Sequence, residues 1–261
     1  MNKYKCISLY YFSGTGNTLV IAKETKVFFE GKGYSVTLEE MHTNFNGEPD
    51  ESSLIGLIFP VAIQSTFPTV WTFVENMPEG KGQAVFMIDT MDAFSGGIVG
   101  PMKKLLVKKG YNCIGACELK MATSMQTTAQ KVDQGLKKFD SALIMLDVFL
   151  SQLEQGKTHW RRIPFFSDMM RSVSKKRKIW SDMSRKLEVN HDQCIKCSLC
   201  LKHCPVDAIS YKEDKITIDH ELCIACMRCI NYCPKNAFRL NGKQLIQKKT
   251  VKVDELKMFR P

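Results

Sequence analysis

The sequence predicts an α/β fold in which a doubly wound, five-stranded parallel sheet is followed by a smaller cysteine-rich unit. Three observations predict it. Apolar strand-like runs alternate with helix-like stretches over the first 155 residues. Two of these runs, Leu54–Phe59 and Ala84–Ile88, are almost continuously apolar, as expected for strands covered on both faces. A last helix repeats its apolar residues at helical spacing from Val132 to Leu153.

Each element is predicted from its own local pattern. The short apolar runs are the strands, and these are Cys6–Phe12, Ser35–Leu38, Leu54–Phe59, Ala84–Ile88 and Ile114–Leu119. The longer mixed stretches between them are the helices, near Thr18–Glu30, Pro68–Asn76 and Gly97–Lys109. The apolar stripe of the last helix consists of Val132, Leu136, Phe139, Leu143, Leu146, Leu150 and Leu153.

A loop rich in serine, threonine and glycine joins the first strand to the first helix. Its residues are Ser13, Gly14, Thr15, Gly16, Asn17 and Thr18. The glycines permit a tight backbone, while hydroxyls and the N–H groups at a helix start can bind a dianionic phosphate. A dinucleotide-binding fingerprint would need glycine in place of Leu19, and a Walker loop would need a Gly-Lys-Ser/Thr sequence that is absent. The alternative is a capped helix behind a polar turn.

This loop resembles the phosphate loop of flavodoxins, which has the form Ser/Thr-x-Thr-Gly-x-Thr. The resemblance covers residues 1 to about 155 and implies that Ser13 to Thr18 bind the phosphate of FMN. It also implies that two later loops flank the flavin ring. The candidate residues in those loops are Pro60, Val61, Ala62 and Ile63 in the first, and Thr90, Met91, Asp92, Phe94, Gly96 and Gly97 in the second.

The first of these loops departs from the flavodoxin pattern. Many flavodoxins place an aromatic residue and often a glycine there, whereas this chain has Ala62, Ile63 and Gln64. Phe94 is therefore the candidate for stacking on the flavin, and the alternative is a loop aromatic residue tucked into the core. Asp92 is a candidate contact for the ribityl chain, and the alternative is an acid that faces solvent.

The C-terminal third contains a duplicated cysteine run. Each copy reads C-x2-C-x2-C-x3-C-P, and the two copies are offset by 29 residues. The eight cysteines are Cys194, Cys197, Cys200 and Cys204 in the first copy, and Cys223, Cys226, Cys229 and Cys233 in the second. Zinc is the alternative metal, but zinc ribbons usually pair two separate C-x2-C knuckles.

The run resembles that of two-cluster bacterial ferredoxins over residues 190–242. The resemblance implies two [4Fe-4S] clusters in a small α+β domain, with the fourth cysteine of each run bound to the other cluster. One cluster would then take Cys194, Cys197, Cys200 and Cys233, and the other would take Cys204, Cys223, Cys226 and Cys229.

Four segments are predicted along the chain. They are an FMN domain at 1–157, a connector at 158–187, a cluster domain at 188–245 and a tail at 246–261. Within the connector, His159–Lys186 holds nine lysines and arginines and two acidic residues, interleaved with aromatic side chains. An in-plane membrane helix is one interpretation. A strap that buries its aromatic rings between the domains is the favoured one.

Charge and cysteine usage limit the class of protein. The formal net charge of +10 falls to about +4 once two clusters and one FMN are counted, which disfavours a nucleic-acid partner. Cluster thiolates need a reducing compartment, so the sequence predicts a cytoplasmic protein, without a signal peptide or a membrane-spanning run. Cys6, Cys113 and Cys117 lie outside the repeat in strand-like runs and are predicted to be buried, inert thiols.

The two halves together resemble flavodoxin–ferredoxin fusion proteins of anaerobic bacteria and archaea. The combination implies electron transfer between the clusters and FMN. The sequence does not encode the direction of transfer, and a ferredoxin-type protein as donor is a hypothesis. One hypothesis is an FMN-dependent reductase of a small-molecule acceptor. The alternative is an adaptor that delivers electrons to a partner enzyme. The sequence does not fix the oligomeric state, and a homodimer is compatible with it.

Overall fold

The structure is a computed structural model and describes residues 4–43, 52–124, 129–160 and 166–247. Its contacts divide the chain into two compact units. The first unit contains residues 1–13, 17–122 and 135–175, and the second contains residues 14–16, 123–134 and 176–261. The predicted tail beyond residue 247 lies outside the described residues.

The first unit is built on a parallel sheet of five strands. The strands are β1 (Cys6–Tyr11), β2 (Ser35–Glu40), β3 (Leu54–Ala62), β5 (Ala84–Met91) and β6 (Asn112–Lys120), with a two-residue strand β4 (Ser65–Thr66) paired antiparallel to β3. Their order is β2-β1-β3-β5-β6, and every pair along this path is parallel. With β4 set aside, this is the strand order of flavodoxin-like sheets. The predicted doubly wound fold is confirmed.

Apolar strands and amphipathic helices form the core of this unit. The helices are α1 (Asn17–Gly31), α2 (Pro68–Asn76), α3 (Val99–Lys108) and α4 (Ala129–Glu154). The first six residues of β3 and the first seven of β5 are buried, as their apolar runs predict. Leu146, Leu150 and Leu153 of the predicted α4 stripe are buried as well, whereas the side chains of Val132 and Leu136 lie outside the described residues.

A further helix, α5 (Phe166–Ser174), also belongs to the first unit. It packs on α3 and β4. The sequence predicts this stretch as part of a connector between domains, and the division of the chain falls inside that connector, between Lys175 and Lys176. The predicted domain boundaries stay predictions.

The second unit is a small α+β domain, as predicted. Two antiparallel pairs of strands lie beside short helices. The elements are α6 (Arg177–Ser184), β7 (Leu187–Val189), α7 (Leu199–Lys202), β8 (Ile209–Lys212), β9 (Lys215–Ile218), α8 (Arg228–Tyr232) and β10 (Phe238–Leu240). Strand β7 pairs with β10, and β8 pairs with β9. Leu187, Ile216, Ile230 and Phe238 are among the buried residues of the core, and six of the eight repeat cysteines pack against it.

No helix in the described part of the chain has both the length and the apolar character needed to cross a bilayer.

Candidate functional site

The serine- and threonine-rich loop lies between β1 and α1, at the carboxyl edge of the sheet. Ser13 and Thr18 are buried, and the backbone N–H of Leu19 donates to Ser13 Oγ at 3.3 Å, which fixes the start of the helix. Gly16 has φ of 102°, a left-handed conformation that favours glycine. The loop therefore has a defined, tight backbone at the N-terminus of a 15-residue helix, where an anion is stabilised.

Hydrogen bonds tie this helix start to the ends of two other strands. The hydroxyls of Thr18 and Thr90 lie 2.7 Å apart, and Thr90 is the last residue of the buried run in β5. The Asn17 amide donates to the Ala122 carbonyl just beyond β6, at 2.8 Å. The hydroxyls of Thr15 and Ser124 lie 2.9 Å apart. The carboxyl ends of parallel strands are where open α/β sheets bind ligands, so these loop residues lie where a phosphate site is expected.

The first predicted ring loop is a β-hairpin. Pro60, Val61 and Ala62 continue β3 as a strand, and the chain turns through Ile63 and Gln64 into β4. Both turn residues have positive φ, 50° and 58°, which is the backbone of a two-residue hairpin turn and is usually taken by glycine or asparagine. The Thr66 hydroxyl donates to the Pro60 carbonyl at 2.8 Å, and this hydrogen bond connects the two strands of the hairpin.

The second predicted ring loop follows β5, in which Thr90 and Met91 are the last residues. Phe94 is 58% exposed, so the alternative in which its ring is tucked into the core does not hold. Asp92 forms a salt bridge with Lys138 of α4 at the surface. Gly96 has φ of 57°, and the backbone N–H of Gly97 donates to the Gln64 carbonyl at 2.6 Å. The two ring loops are therefore joined directly.

The eight repeat cysteines line two separate cavities. One cavity is lined by Cys194, Cys197, Cys200 and Cys233, together with Ile216 and Phe238. The other is lined by Cys204, Cys223, Cys226 and Cys229, together with Pro205 and Ile209. Each cavity thus has three cysteines of one run and the last cysteine of the other. Among the described residues, no three His, Cys, Asp or Glu side chains converge tightly enough to hold a single metal ion.

The backbone around the two cavities repeats along with the cysteines. Non-glycine residues with positive φ occur in pairs separated by 29 positions, and the pairs are Lys196 and Ala225, Ser198 and Met227, and Asp207 and Asn236. This conformation is costly for residues other than glycine and persists where the surroundings demand it. It turns the chain sharply between successive cysteines, which brings their sulfur atoms to one side.

Backbone N–H groups point at cysteine sulfurs in both halves. Ala208 N–H donates to Cys204 Sγ and Ala237 N–H donates to Cys233 Sγ, each at 3.2 Å, and Ala225 N–H donates to Cys223 Sγ at 3.4 Å. Such bonds stabilise thiolate charge and tune the potential of an iron–sulfur cluster.

Burial disfavours free thiolates at these positions. It raises the pKa of the Cys200 thiol to about 11 and the pKa of Cys226 to about 12, and it raises the pKa of Cys229 well above its ordinary value. These thiols are therefore protonated at neutral pH unless a cation replaces the proton. Metal binding supplies that cation, because ligand thiols lose their protons when they coordinate.

The two cysteine runs differ in exposure. Cys197 is exposed and Ile195 is 55% exposed, whereas the repeat counterpart of Ile195, Ile224, is 3% exposed. Helix α6 supports the second run, since Arg177 donates to the Cys223 carbonyl at 2.9 Å. The first run is therefore more exposed to solvent than the second around Ile195 and Cys197. The amino-acid sequence alone does not indicate this difference in exposure between the two runs.

Comparisons with known proteins gave one family match and several similar structures. Residues 184–240 match the family model of the 4Fe-4S dicluster domain. A search of curated proteins gave no match. Among solved structures, a flavodoxin of Streptococcus pneumoniae TIGR4 is 14% identical over 53% of this chain and 97% of its own, with a TM-score of 0.35. Megasphaera elsdenii flavodoxin is 19% identical over 52% of this chain and 97% of its own, with a TM-score of 0.38.

The strand order of the first unit is that of a flavodoxin-like sheet, and the dicluster match covers most of the second. The chain therefore combines a first unit of flavodoxin-like fold with a 4Fe-4S dicluster domain, which indicates a role in electron transfer.

Proposed function

We propose that the chain moves electrons between two [4Fe-4S] clusters and FMN, taking them from a ferredoxin-type donor and passing them to a small molecule that is reduced at the flavin. The observation that carries this proposal is the sorting of eight cysteines into two cavities, each with three residues of one run and the fourth of the other. That arrangement is the ligand pattern of two-cluster ferredoxins.

The residues of the first unit fit a flavin nucleotide. Ser13 and Thr18 offer hydroxyls at the N-terminus of α1, where a phosphate dianion is stabilised by the helix dipole and backbone N–H groups. The hairpin at Pro60–Thr66 and the segment from Thr90 to Gly97 would border the ring. When bound, FMN supplies the exchange of one or two electrons, so it can convert between one-electron and two-electron carriers.

The residues of the second unit fit a pair of one-electron carriers. Backbone N–H groups would stabilise the cluster sulfurs, and apolar residues such as Ile216 and Ile230 keep water from them. The exposed first run, at Ile195 and Cys197, is where we place contact with the donor, since electron transfer between proteins needs close approach to the cluster. Because both carriers would belong to one polypeptide, transfer between them would not require diffusion.

Anaerobic purification followed by iron, sulfide and flavin quantification tests the proposal. We expect about eight irons and about one FMN per chain, since each cluster contains four irons. Zinc in place of iron, or a preparation without extractable flavin, would contradict it.

The adaptor is the second candidate function, and exposed side chains favour it. Phe94 beside the ring loops and Ile195 beside the first cysteine run are both more than half exposed, as in a protein that docks partners at two places. The reduced protein, freed of excess reductant and mixed with small oxidants, separates the two candidates. Rapid flavin reoxidation by a small molecule alone supports the reductase, and reoxidation only in the presence of a partner protein supports the adaptor.

A further inference from the structure

Helix α5 contacts the backbone of the second ring loop at van der Waals distance. A Cβ atom at Gly97 would lie 2.6 Å from the Arg171 nitrogen and 3.0 Å from the Ser167 carbonyl oxygen, closer than side chains approach backbone. The Ser167 hydroxyl is buried and donates to the Gly96 carbonyl at 3.1 Å. Two glycines therefore allow α5 to lie directly on the segment that follows β5.

Arg171 connects α5 to the neighbouring helix α2. Its guanidinium carbon lies 3.5 Å from the centre of the Trp71 ring, which is the geometry of a cation–π contact. Its Nη2 atom lies 3.2 Å from Glu75 Oε1, and the arginine side chain is only 13% exposed. A partly buried cation stacked on tryptophan holds the two helices more firmly than an exposed ion pair does.

From Trp71 the contacts run back to both ring loops. The Trp71 indole N–H donates to Ser65 Oγ at 3.3 Å, and the Ser65 hydroxyl donates to the Gly97 carbonyl at 3.4 Å. The Gly97 N–H donates to the Gln64 carbonyl at 2.6 Å. These contacts form a closed circuit. Arg171 and Trp71 connect α5 to the hairpin, the hairpin contacts Gly97, and Gly97 contacts α5.

We propose that Arg171 is a positioning residue for the flavin, which holds the hairpin and the Gly96–Gly97 segment at a fixed separation through Trp71 and Ser65. The inference rests on the proposed function, because it assigns the ring site to these two loops. It also accounts for the hairpin sequence. Ala62, Ile63 and Gln64 provide no aromatic ring that could stack on the flavin. The position of the hairpin therefore depends on its contacts with the rest of the protein. An α5 helix placed after α4 supplies that support.

The rate of FMN release from the full-length holo-protein tests the inference. After dilution, released FMN is detected by the recovery of its fluorescence. We expect Arg171→Ala to speed release about tenfold, the scale of one partly desolvated cation–π contact. Arg171→Lys, which keeps the charge but not the planar stacking, should recover only part of the loss. Arg185→Ala is the matched control, because Arg185 pairs with Glu221 at the surface of the second unit.

A substitution at Trp71 distinguishes a positioning role of Arg171 from a general loss of stability. Trp71→Phe keeps a ring under Arg171 but removes the N–H that holds Ser65. We expect faster FMN release and an altered flavin absorption band, with unchanged iron content and a melting temperature close to that of wild type. The double variant Arg171→Ala/Trp71→Phe should release FMN little faster than the faster single variant, because both act through Ser65.

Three results would overturn the inference. Unchanged release in Arg171→Ala, with FMN present in the wild-type protein, refutes it and leaves the proposed function intact. Faster release that only follows a matching fall in melting temperature and loss of iron shows a general structural role instead. A wild-type protein that binds no FMN removes the proposed function and the inference together.

Discussion

Thr18 at the start of α1 and Thr90 near the end of β5 share a hydrogen bond of 2.7 Å between their hydroxyl oxygens. Both residues are buried. The bond fixes the loop that would bind phosphate relative to the strand that leads into the second ring loop. One contact thus sets the distance between the two ends of the proposed FMN site.

Thr18→Val should weaken FMN binding about tenfold or more, because it removes a hydroxyl from the loop and leaves Thr90 without this partner. The measurement is the dissociation constant of FMN from fluorescence titration of the FMN-free protein. Thr25→Val is the matched control, since Thr25 is buried in the same helix and donates to the Ile21 carbonyl, away from the loop. Equal FMN affinity in the two variants would refute the role of Thr18.

Cys200→Ala and Cys233→Ala should each remove roughly half of the iron and abolish the same cluster signal in electron paramagnetic resonance. The reason is that both residues line one cavity although they are in different runs. Cys204→Ala should remove the other signal. Cys113→Ala, outside the repeat, should keep all the iron. If Cys200→Ala and Cys204→Ala remove the same signal, the crossed ligand assignment is wrong.

Gly97→Ala should speed FMN release and lower the melting temperature of the first unit. The added Cβ meets backbone of α5 at 2.6 Å, so the helix must shift away from the ring loops. Gly31→Ala is the matched control, because a Cβ at the end of α1 meets nothing within 4 Å. There the substitution should be neutral or stabilise by about 0.5–1 kcal/mol. Loss of FMN in both variants would contradict the contact with α5.

Ile195→Ala should slow reduction by a ferredoxin-type donor several-fold while leaving reduction by dithionite unchanged, since Ile195 is 55% exposed beside the first cysteine run. Stopped-flow absorbance at the cluster band measures both rates. Its repeat counterpart Ile224 is buried, so Ile224→Ala should instead lower the free energy of unfolding by about 2–5 kcal/mol. An unchanged donor rate in Ile195→Ala would place donor contact elsewhere.

Cys117 should make the protein less stable in alkali. Burial is the main cause that raises the pKa of this thiol from its ordinary value of 9.0 to about 12. The folded state therefore keeps the proton when the unfolded state loses it. This contribution to stability is complete below pH 9 and is lost as the pH rises toward 12. Cys117→Ala should show a shallower fall in unfolding free energy between about pH 9 and pH 10.5, measured with denaturant.

The sheet and its helices could be predicted because their residues are apolar at regular spacing. Leu54–Phe59 and Ala84–Ile88 lie inside observed strands, and the predicted helix Pro68–Asn76 has the observed bounds. Strand β4 could not be predicted in this way, since Ser65 and Thr66 are two polar residues whose pairing depends on the hairpin turn. The turn itself uses Ile63 and Gln64, which are not residues that signal positive φ.

For the candidate site, the sequence predicts the cysteine ligands but not the contacts that hold the ring loops and the cysteine runs in place. The resemblance to two-cluster ferredoxins predicted Cys233 as a partner of the first run, and Cys233 lines the same cavity as the first three cysteines of that run. The role of α5 was not visible, because Ser167 and Arg171 act through contacts with residues far away in the chain. The same holds for Lys196 and Ala225, whose shared left-handed backbone has no common side-chain signature.

The paired left-handed positions bear on the ancestry of the second unit. Lysine in one copy corresponds to alanine in the other at one pair, and serine corresponds to methionine at another, yet the φ angles of each pair agree within a few degrees. The two copies of the repeat thus share the same backbone turns although their side chains differ. The first copy is exposed at Ile195 and Cys197, whereas Ile224 of the second copy is buried, so clusters bound by the two copies would differ in solvent exposure and therefore in potential without any exchange of ligands.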